Sequence, residues 1–261
     1  MSLVSDRCIC LRKVEYSETS QILLLFGRSH GLNRVIAKGA HRVTKAGASK
    51  FGGGIDLLDL GEALFTLRPD KDLATLTEWK LLEGHLDLRK SLRRMHLAFY
   101  AAELVGLLIE EHDPHPDLFD RLEAVLLELA GTRIEQAFLA FQLDLLRETG
   151  YLPSMNACIS CGAITDARNA IAFDVGRGGI LCRNCHLAFP QRLPVEGRLI
   201  GIVQYVLQLS EGNGSPRRLP NLTRAQTDPI NRIFAQYIQH TLGKRLKMPK
   251  YILGRREAAV S

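Results

Sequence analysis

Two cysteine doublets constrain this chain more than any other feature. Cys158 and Cys161 form one C-x-x-C motif, and Cys182 and Cys185 form a second, with twenty residues between the doublets. Each C-x-x-C turn can present two thiolates to one ion, and Zn²⁺ takes four tetrahedral ligands of this kind. The spacing therefore predicts a small metal-binding module at residues 156–188.

The second doublet also matches other kinds of site. Cys182, Cys185 and His186 form the C-x-x-C-H signature of covalent haem attachment, and one C-x-x-C pair suffices for a redox dithiol. Haem would leave the first doublet unexplained, and a redox dithiol needs a βαβ context that the sequence lacks. Iron would use the same four cysteines as zinc, so the sequence leaves that choice open. Four protein ligands leave no position for substrate, which predicts a structural metal with His186 outside its ligand set.

Residues 1–80 have the pattern of short antiparallel strands. Apolar runs at 21–26 and 32–37 flank a glycine-containing turn, which predicts a hairpin. Three further runs lie between turn residues, at 57–60, 63–67 and 73–79. Five or six short strands predict a small closed barrel of the OB type. We expect Cys8 and Cys10 to be core or half-buried residues on opposite faces of a strand.

From about residue 91 the apolar period becomes helical. Residues 117–130 predict a helix that ends at Gly131 and places five apolar residues on one face, Leu118, Leu122, Val125, Leu126 and Leu129. Thr132 and Glu135 have capping-box spacing ahead of a helix that stops at Gly150.

Two more helices are predicted after the cysteines, over 195–209 and from about Thr227 to Pro229 onwards. The predicted fold class is therefore α+β. An N-terminal OB-fold barrel at 1–80 precedes an α-helical bundle domain at 81–261, into which the four-cysteine module is inserted.

Positive charge is concentrated near the N-terminus. The net charge is +6, and the first fifty residues hold nine Lys and Arg against three acids. An OB barrel binds nucleic acid with a cationic groove and stacking aromatic side chains. The candidate phosphate contacts are Arg12, Lys13, Arg34, Lys38, Arg42, Lys45 and Lys50. Tyr16 and Phe51 are the candidates for base stacking.

Other functions have weaker support. The glycine-rich loop at 38–54 lacks the G-K-[ST] ending of a phosphate-binding loop, and Asp56, Asp59 and Glu62 resemble strand-flanking residues rather than a nuclease site. We therefore expect no enzymatic activity. The most apolar run, 97–109, is shorter than the roughly 20 residues of a membrane span, and the N-terminus lacks a secretory pattern. These features predict a cytoplasmic protein whose cysteines are free or metal-bound.

Several segments, in their order and spacing, resemble the DNA repair protein RecO family. They begin with Gly31-Leu-Asn-Arg-Val-Ile-Ala-Lys38-Gly39-Ala40-His-Arg42 in the barrel. Phe141-Gln-Leu-Asp-Leu-Leu and Gly150-Tyr-Leu-Pro153 lead into the first cysteine doublet. Phe173, Gly178-Gly179-Ile-Leu-Cys182 and Tyr237-Ile-Gln-His-Thr-Leu242-Gly243 follow in the same order. His41 departs from the basic residue expected in the loop.

The resemblance implies a bacterial recombination mediator, cytoplasmic and associated with the nucleoid. Such a protein binds single- and double-stranded DNA, anneals complementary strands, and helps to load the recombinase RecA. Its implied partners are the ring-forming protein RecR and single-strand-binding protein, whose tail is acidic. Two other classes stay open, a zinc-ribbon regulator that binds duplex DNA and a purely structural scaffold.

Overall fold

The structure is a computed structural model that describes residues 2–41, 51, 54–67, 73–211 and 219–253. The chain divides into two compact units, Met1–Gly131 and Thr132–Ser261. The first two helices of the predicted helical domain therefore belong to the same unit as the barrel. Within the described residues, no helix combines the length and apolarity needed to cross a membrane.

Five strands form a closed barrel in the first unit. They are β1 (Ser2–Ser17), β2 (Ser20–Gly27), β3 (Gly31–Ala37), β4 (Leu60–Leu67) and β5 (Ala74–Glu83). The strand order is β1-β2-β3-β5-β4, and only the β3–β5 pair is parallel. The predicted hairpin is confirmed as β2 and β3. The separate strand predicted at 57–60 is wrong, because that segment turns and β4 begins only at Leu60.

The barrel interior is filled by alternate residues of its strands. Leu23 and Leu25 of β2 and Val35 of β3 point inwards beside Cys8 and Cys10. Both cysteines are fully buried, so their predicted burial is confirmed. The expectation that they face opposite ways is wrong, because residues two apart in a strand share a face.

Two helices complete the first unit, α1 (Leu92–Leu108) and α2 (Pro116–Leu129). A short 3₁₀ turn at Leu86–Lys90 connects β5 to α1. The five apolar residues predicted on one face of α2 are all buried. The ring of Phe119 on α2 lies 5.7 Å from that of Phe26 on β2, which places α2 against the outside of the barrel.

The second unit consists of four helices and a small sheet. The helices are α3 (Ile134–Glu148), α4 (Gly197–Glu211), α5 (Arg224–Leu242) and α6 (Pro249–Ile252). Between α3 and α4, strands β6 (Ala170–Asp174), β7 (Gly179–Cys182) and β8 (Arg192–Pro194) pair in the order β7-β6-β8. The hairpin expected between the cysteine doublets is therefore confirmed as β6 and β7. The third strand, β8, was not predicted from the sequence.

Two predicted helix starts are wrong. The cap of α3 is Arg133 with no side-chain hydrogen bond, so Thr132 and Glu135 form no capping box. Glu135 instead accepts a hydrogen bond from the Thr227 hydroxyl at 2.6 Å inside the helical unit. Helix α5 begins at Arg224, where the Thr223 backbone N–H donates to the Gln226 side chain at 2.9 Å, and Pro229 lies within the helix.

Candidate nucleic-acid interface and metal centre

The outer face of β1, β2 and β3 carries cations in register. Arg12 pairs with Leu24, and Leu24 pairs with Arg34. Directly paired residues share a face of the sheet, and the neighbours of Leu24 in β2 point into the barrel core. The two arginines therefore lie on the outside of the barrel, two strand spacings apart, or about 10 Å. Helix α1 lies against Leu24 between them, because a Cβ added at Gly106 would be 3.3 Å from the Leu24 side chain. Each arginine can therefore contact a phosphate from its own side of α1.

An aromatic side chain lies near this row. Val14 pairs with Ile22 on the same outer face, and Tyr16 follows two residues later with 65% of its surface exposed. Lys38 is exposed where the chain leaves β3. The surface thus combines cations, half-exposed apolar side chains and a free aromatic ring, which are the elements of a single-strand platform. We call Arg12, Val14, Tyr16, Ile22 and Lys38 the barrel platform.

Two of the predicted phosphate contacts are already paired with carboxylates. The Lys13 ammonium lies 2.9 Å from Asp56, and this hydrogen bond raises the pKa of the lysine. Arg34 forms an ion pair with Glu111, which follows α1. Arg12 and Lys38 form no ion pair with any described residue. The candidate cations are therefore of two kinds, unpaired and already neutralised.

Three predicted phosphate contacts remain predictions, and one aromatic candidate is buried. Arg42, Lys45 and Lys50 lie outside the described residues. Phe51 is only 2% exposed and packs in the barrel core with Ile55, so it does not present a ring for stacking. Of the two aromatic candidates, only Tyr16 is positioned to contact a base.

Sequence reasoning did not select two further exposed cations of the barrel. Arg28 donates two hydrogen bonds of 2.8 Å to Asp120 on α2. Arg7 forms an ion pair with Glu123 on the same helix. The barrel surface is therefore less positive than its sequence suggests, because acids from α2 neutralise part of it. The charge pattern of the N-terminal segment could not reveal these pairs.

The acidic residues considered for a nuclease serve a structural role. Asp56 bridges Lys13 and Arg89 at 2.9 and 2.8 Å. Asp59 is buried, accepts the Asp56 backbone N–H, and has a pKa raised by burial. Both carboxylates are engaged within the protein, and neither belongs to a metal-competent group among the described residues.

The four predicted metal ligands do come together. The sulfur atoms of Cys158, Cys161, Cys182 and Cys185 all lie within 4.8 Å of one another, and Cys161 and Cys182 are 3.9 Å apart. Tetrahedral Zn–S bonds of about 2.3 Å require sulfurs about 3.8 Å apart, so the cluster fits one ion with small movements. His186 lies outside this group, and its Nδ1 is 2.8 Å from the Arg183 carbonyl.

The backbone around Cys158 favours the thiolate form of that residue. Burial raises the pKa of the Cys158 thiol, but backbone N–H groups, led by that of Cys182 at 3.5 Å, lower it to about 6. Such N–H donors stabilise a thiolate, which is the form that binds metal. Gly162 has a φ of 71°, as expected for the turn that follows the first doublet.

A small apolar cluster surrounds the sulfur atoms. It consists of Cys158, Ala172, Leu181 and Phe189, and two of the other cysteines pack against it. Ala170, Phe173 and Ile180 of the module's strands are also buried. The cluster beside the sulfurs contains few apolar residues, so a bound ion would add to the stability of the module. The cluster is thus suited to a structural metal.

Comparison with family models assigns the chain to a known class of recombination proteins. The family model described as "Recombination protein O N terminal" matches residues 1–85, and "Recombination protein O C terminal" matches residues 89–249. Together they span most of the chain. The chain therefore belongs to the RecO family of DNA repair proteins.

Curated relatives agree with this assignment. A DNA repair protein RecO of Anaeromyxobacter dehalogenans (strain 2CP-C) is 32% identical over 246 residues, which is 94% of this chain and 93% of that protein. The protein of the same name from Rhodopirellula baltica is 31% identical, with 87% and 84% covered. That of Myxococcus xanthus is 27% identical, with 95% and 96% covered.

Proposed function

We propose that this protein is a non-enzymatic recombination mediator. It binds single- and double-stranded DNA without sequence preference, anneals complementary strands, and helps to load a recombinase onto strands coated by single-strand-binding protein. A RecR-type ring protein and the acidic tail of single-strand-binding protein are its proposed protein partners. We place it in the cytoplasm, in association with the nucleoid. The barrel platform is the observation that carries this proposal.

We assign the barrel to the OB fold. The strand order β1-β2-β3-β5-β4, closed between β1 and β4, supports the assignment, as does the parallel pairing of β3 with β5. OB folds bind oligonucleotides on the face of strands 2 and 3, and the barrel platform lies beside that face. The OB domain would occupy residues 1–80, followed by a helical domain at 81–261 with the metal module at 156–188.

The composition of the barrel platform favours contacts with the backbone of DNA. Arg12 and Lys38 supply charge, and Tyr16 offers one stacking surface that accepts any base. Arg34 would join them once DNA displaces its carboxylate partner, and we retain Lys13, Arg42, Lys45 and Lys50 as proposed contacts. Because most contacts would be to phosphates and few to bases, the affinity for DNA should depend strongly on the salt concentration. Shielding phosphates while leaving base edges open suits strand annealing.

We propose zinc as the ion of the four-cysteine cluster. Soft thiolate ligands in a tetrahedral arrangement select zinc or iron, and zinc needs no redox chemistry to serve a structural role. The cysteines would hold the two turns of the module together and supply no open coordination position.

Two alternative functions for the protein are a zinc-ribbon regulator of duplex DNA and a scaffold that binds no DNA.

The decisive experiment measures binding of fluorescent oligonucleotides to the protein at 50 and 200 mM salt. Replacing Arg12 and Lys38 with alanine should remove two phosphate contacts, which flattens the logarithmic salt slope by about 1.4 for single strands. The loss should be equal for unrelated sequences. Annealing of complementary strands, measured with and without single-strand-binding protein, should slow in parallel.

A control for net charge replaces Lys80 and Lys90, two exposed lysines that lie outside the barrel platform and pair with Glu62 and Asp87. This variant has the same net charge as the test variant but should keep the wild-type slope. Binding that depends on sequence would favour the regulator. Binding that is absent at low salt would favour the scaffold.

A further inference from the structure

A second cationic surface lies in the helical unit, at the end of α5. Residues 240–253 contain no acid, and four of them are exposed cations, Lys244, Arg245, Lys247 and Lys250. Lys244, Arg245 and Lys250 form no ion pair with any described residue. This surface thus differs from the barrel, where several cations are already neutralised.

The segment is anchored to the unit and holds its cations outwards. Gly243 has a φ of 62° and ends α5. Leu246 and Ile252 are then buried, at 5% and 0% exposure. The Leu246 backbone N–H donates to Gln239 at 3.0 Å, and Arg224 donates to the Ile252 carbonyl at 3.1 Å. The apolar residues therefore turn inwards and leave charge on the outside.

An aromatic ring completes the surface. Tyr251 is 53% exposed, and the Lys250 ammonium lies 4.7 Å from the centre of its ring. Cations near the C-terminal end of a helix are stabilised by its dipole, which explains Lys244 and Arg245 after the last turn of α5. It does not account for Lys250 or for an exposed tyrosine beyond the end of that helix. Cations interleaved with an exposed ring are the elements of a nucleic-acid platform.

We propose that residues 244–251, the helical platform, form a second binding surface for single-stranded DNA. Lys244, Arg245 and Lys250 contact phosphates, and one base stacks on the exposed part of the Tyr251 ring. This inference rests on the proposed function, because annealing brings two strands to one protein. A protein with one surface on the barrel and another on the helical unit can hold both strands.

The chemistry of the helical platform favours a nucleic acid over an acidic peptide. An acidic peptide that also binds through apolar side chains needs an apolar recess beside the cations. Here Leu246 and Ile252 are buried in the unit and unavailable to a ligand. The exposed tyrosine ring offers a flat face, which suits the face of a base.

The test uses the full-length protein and two oligothymidine strands with different fluorophores, which cannot pair with each other. Two-colour cross-correlation then reports only strands held together by the protein. For the wild-type protein we expect complexes that contain both colours. Replacing Lys244 and Arg245 with alanine should weaken second-strand binding about 25-fold at 0.1 M salt, since each lost contact costs about fivefold. Binding of the first strand should change less than twofold.

Aromatic variants test the stacking separately. Tyr251→Ala should weaken second-strand binding about tenfold, the scale of one lost base stack, whereas Tyr251→Phe should retain it. The control variant replaces Arg168 and Arg198, two exposed arginines of the same unit, and should behave as wild type. Unfolding curves that superimpose on that of the wild type establish that the variants fold.

The outcomes separate this inference from the proposed function. Two-colour complexes that survive the platform replacements overturn the second surface and leave the barrel assignment intact. Single-strand binding that is absent from the wild-type protein overturns both. If the variants instead lose binding of an oligoglutamate probe while still bridging strands, the surface serves an acidic protein partner and the inference is wrong.

Discussion

Replacing Glu111 with alanine should tighten the binding of single-stranded DNA. Its carboxylate forms an ion pair with Arg34, which lies in the same row of the barrel as Arg12. The arginine side chain is 57% exposed and the glutamate 33%, so the pair stabilises the fold by less than about 1 kcal/mol. Its removal therefore frees a cation at little cost to the fold.

The expected gain follows from counterion release. One added phosphate contact steepens the logarithmic salt slope for a single strand by about 0.7, which corresponds to about fivefold tighter binding at 0.1 M salt. Fluorescence anisotropy with a labelled oligothymidine across several salt concentrations measures both quantities. The free energy of unfolding, measured in urea, should change by less than about 1 kcal/mol.

Glu110 provides the matched control, because it is exposed and has no ion pair with any described residue. Its replacement with alanine removes the same charge without freeing an arginine. An equal gain in affinity for both variants would show that only net charge matters. An unchanged slope in the Glu111 variant would refute the placement of Arg34 in the interface.

Three further predictions concern the metal, pH and the backbone. Cys158→Ala should abolish stoichiometric zinc, measured by atomic emission, and lower the stability of the helical unit, whereas full stability without metal would contradict a structural ion. Burial lowers the pKa of His85, so at pH below about 6.5 the unfolded state binds more protons and unfolding becomes easier as the pH falls. His85→Asn, which cannot titrate, should flatten that dependence in urea titrations, and an unaltered pH profile would exclude His85 as its source. Gly31→Ala should cost about 2–4 kcal/mol, because φ is 64° and the new Cβ would lie 2.2 Å from the Asp113 carbonyl oxygen. Gly150→Ala has a similar φ of 74° but open space, so a similar loss of stability for both would show that the clash is unimportant.

Features encoded by neighbouring residues were predictable from the sequence. The β2–β3 hairpin follows from two apolar runs around a glycine-containing turn, and the metal cluster follows from the spacing of its doublets. The hairpin signal lies within a few residues of the structure that it specifies. Each cysteine doublet is also local, and twenty residues separate the two doublets. The signal for the end of α3 is equally local, because Gly150 adopts the left-handed conformation that stops a helix.

Features that depend on distant partners were not predictable. Arg7 is paired with a glutamate 116 residues away, and Arg28 with an aspartate 92 residues away. Phe51 sits in a glycine-rich basic segment, yet it fills the barrel core. The start of α5 was missed for another reason. Thr223 and Gln226 have capping spacing, but Pro229 in the following turn is the more conspicuous signal.

The internal ion pairs determine what a salt titration of this protein measures. When DNA takes an arginine from a carboxylate, that carboxylate recovers a cation from solution, so the exchange releases few counterions overall. Paired residues such as Arg28 and Arg34 therefore add little to the salt slope, even where they contact phosphate. The slope instead counts the unpaired cations, including Arg12 and Lys38. The salt slope should fall below the value expected from the charge of the N-terminal segment, by about 0.7 for each contacting cation that has an internal partner in the free protein.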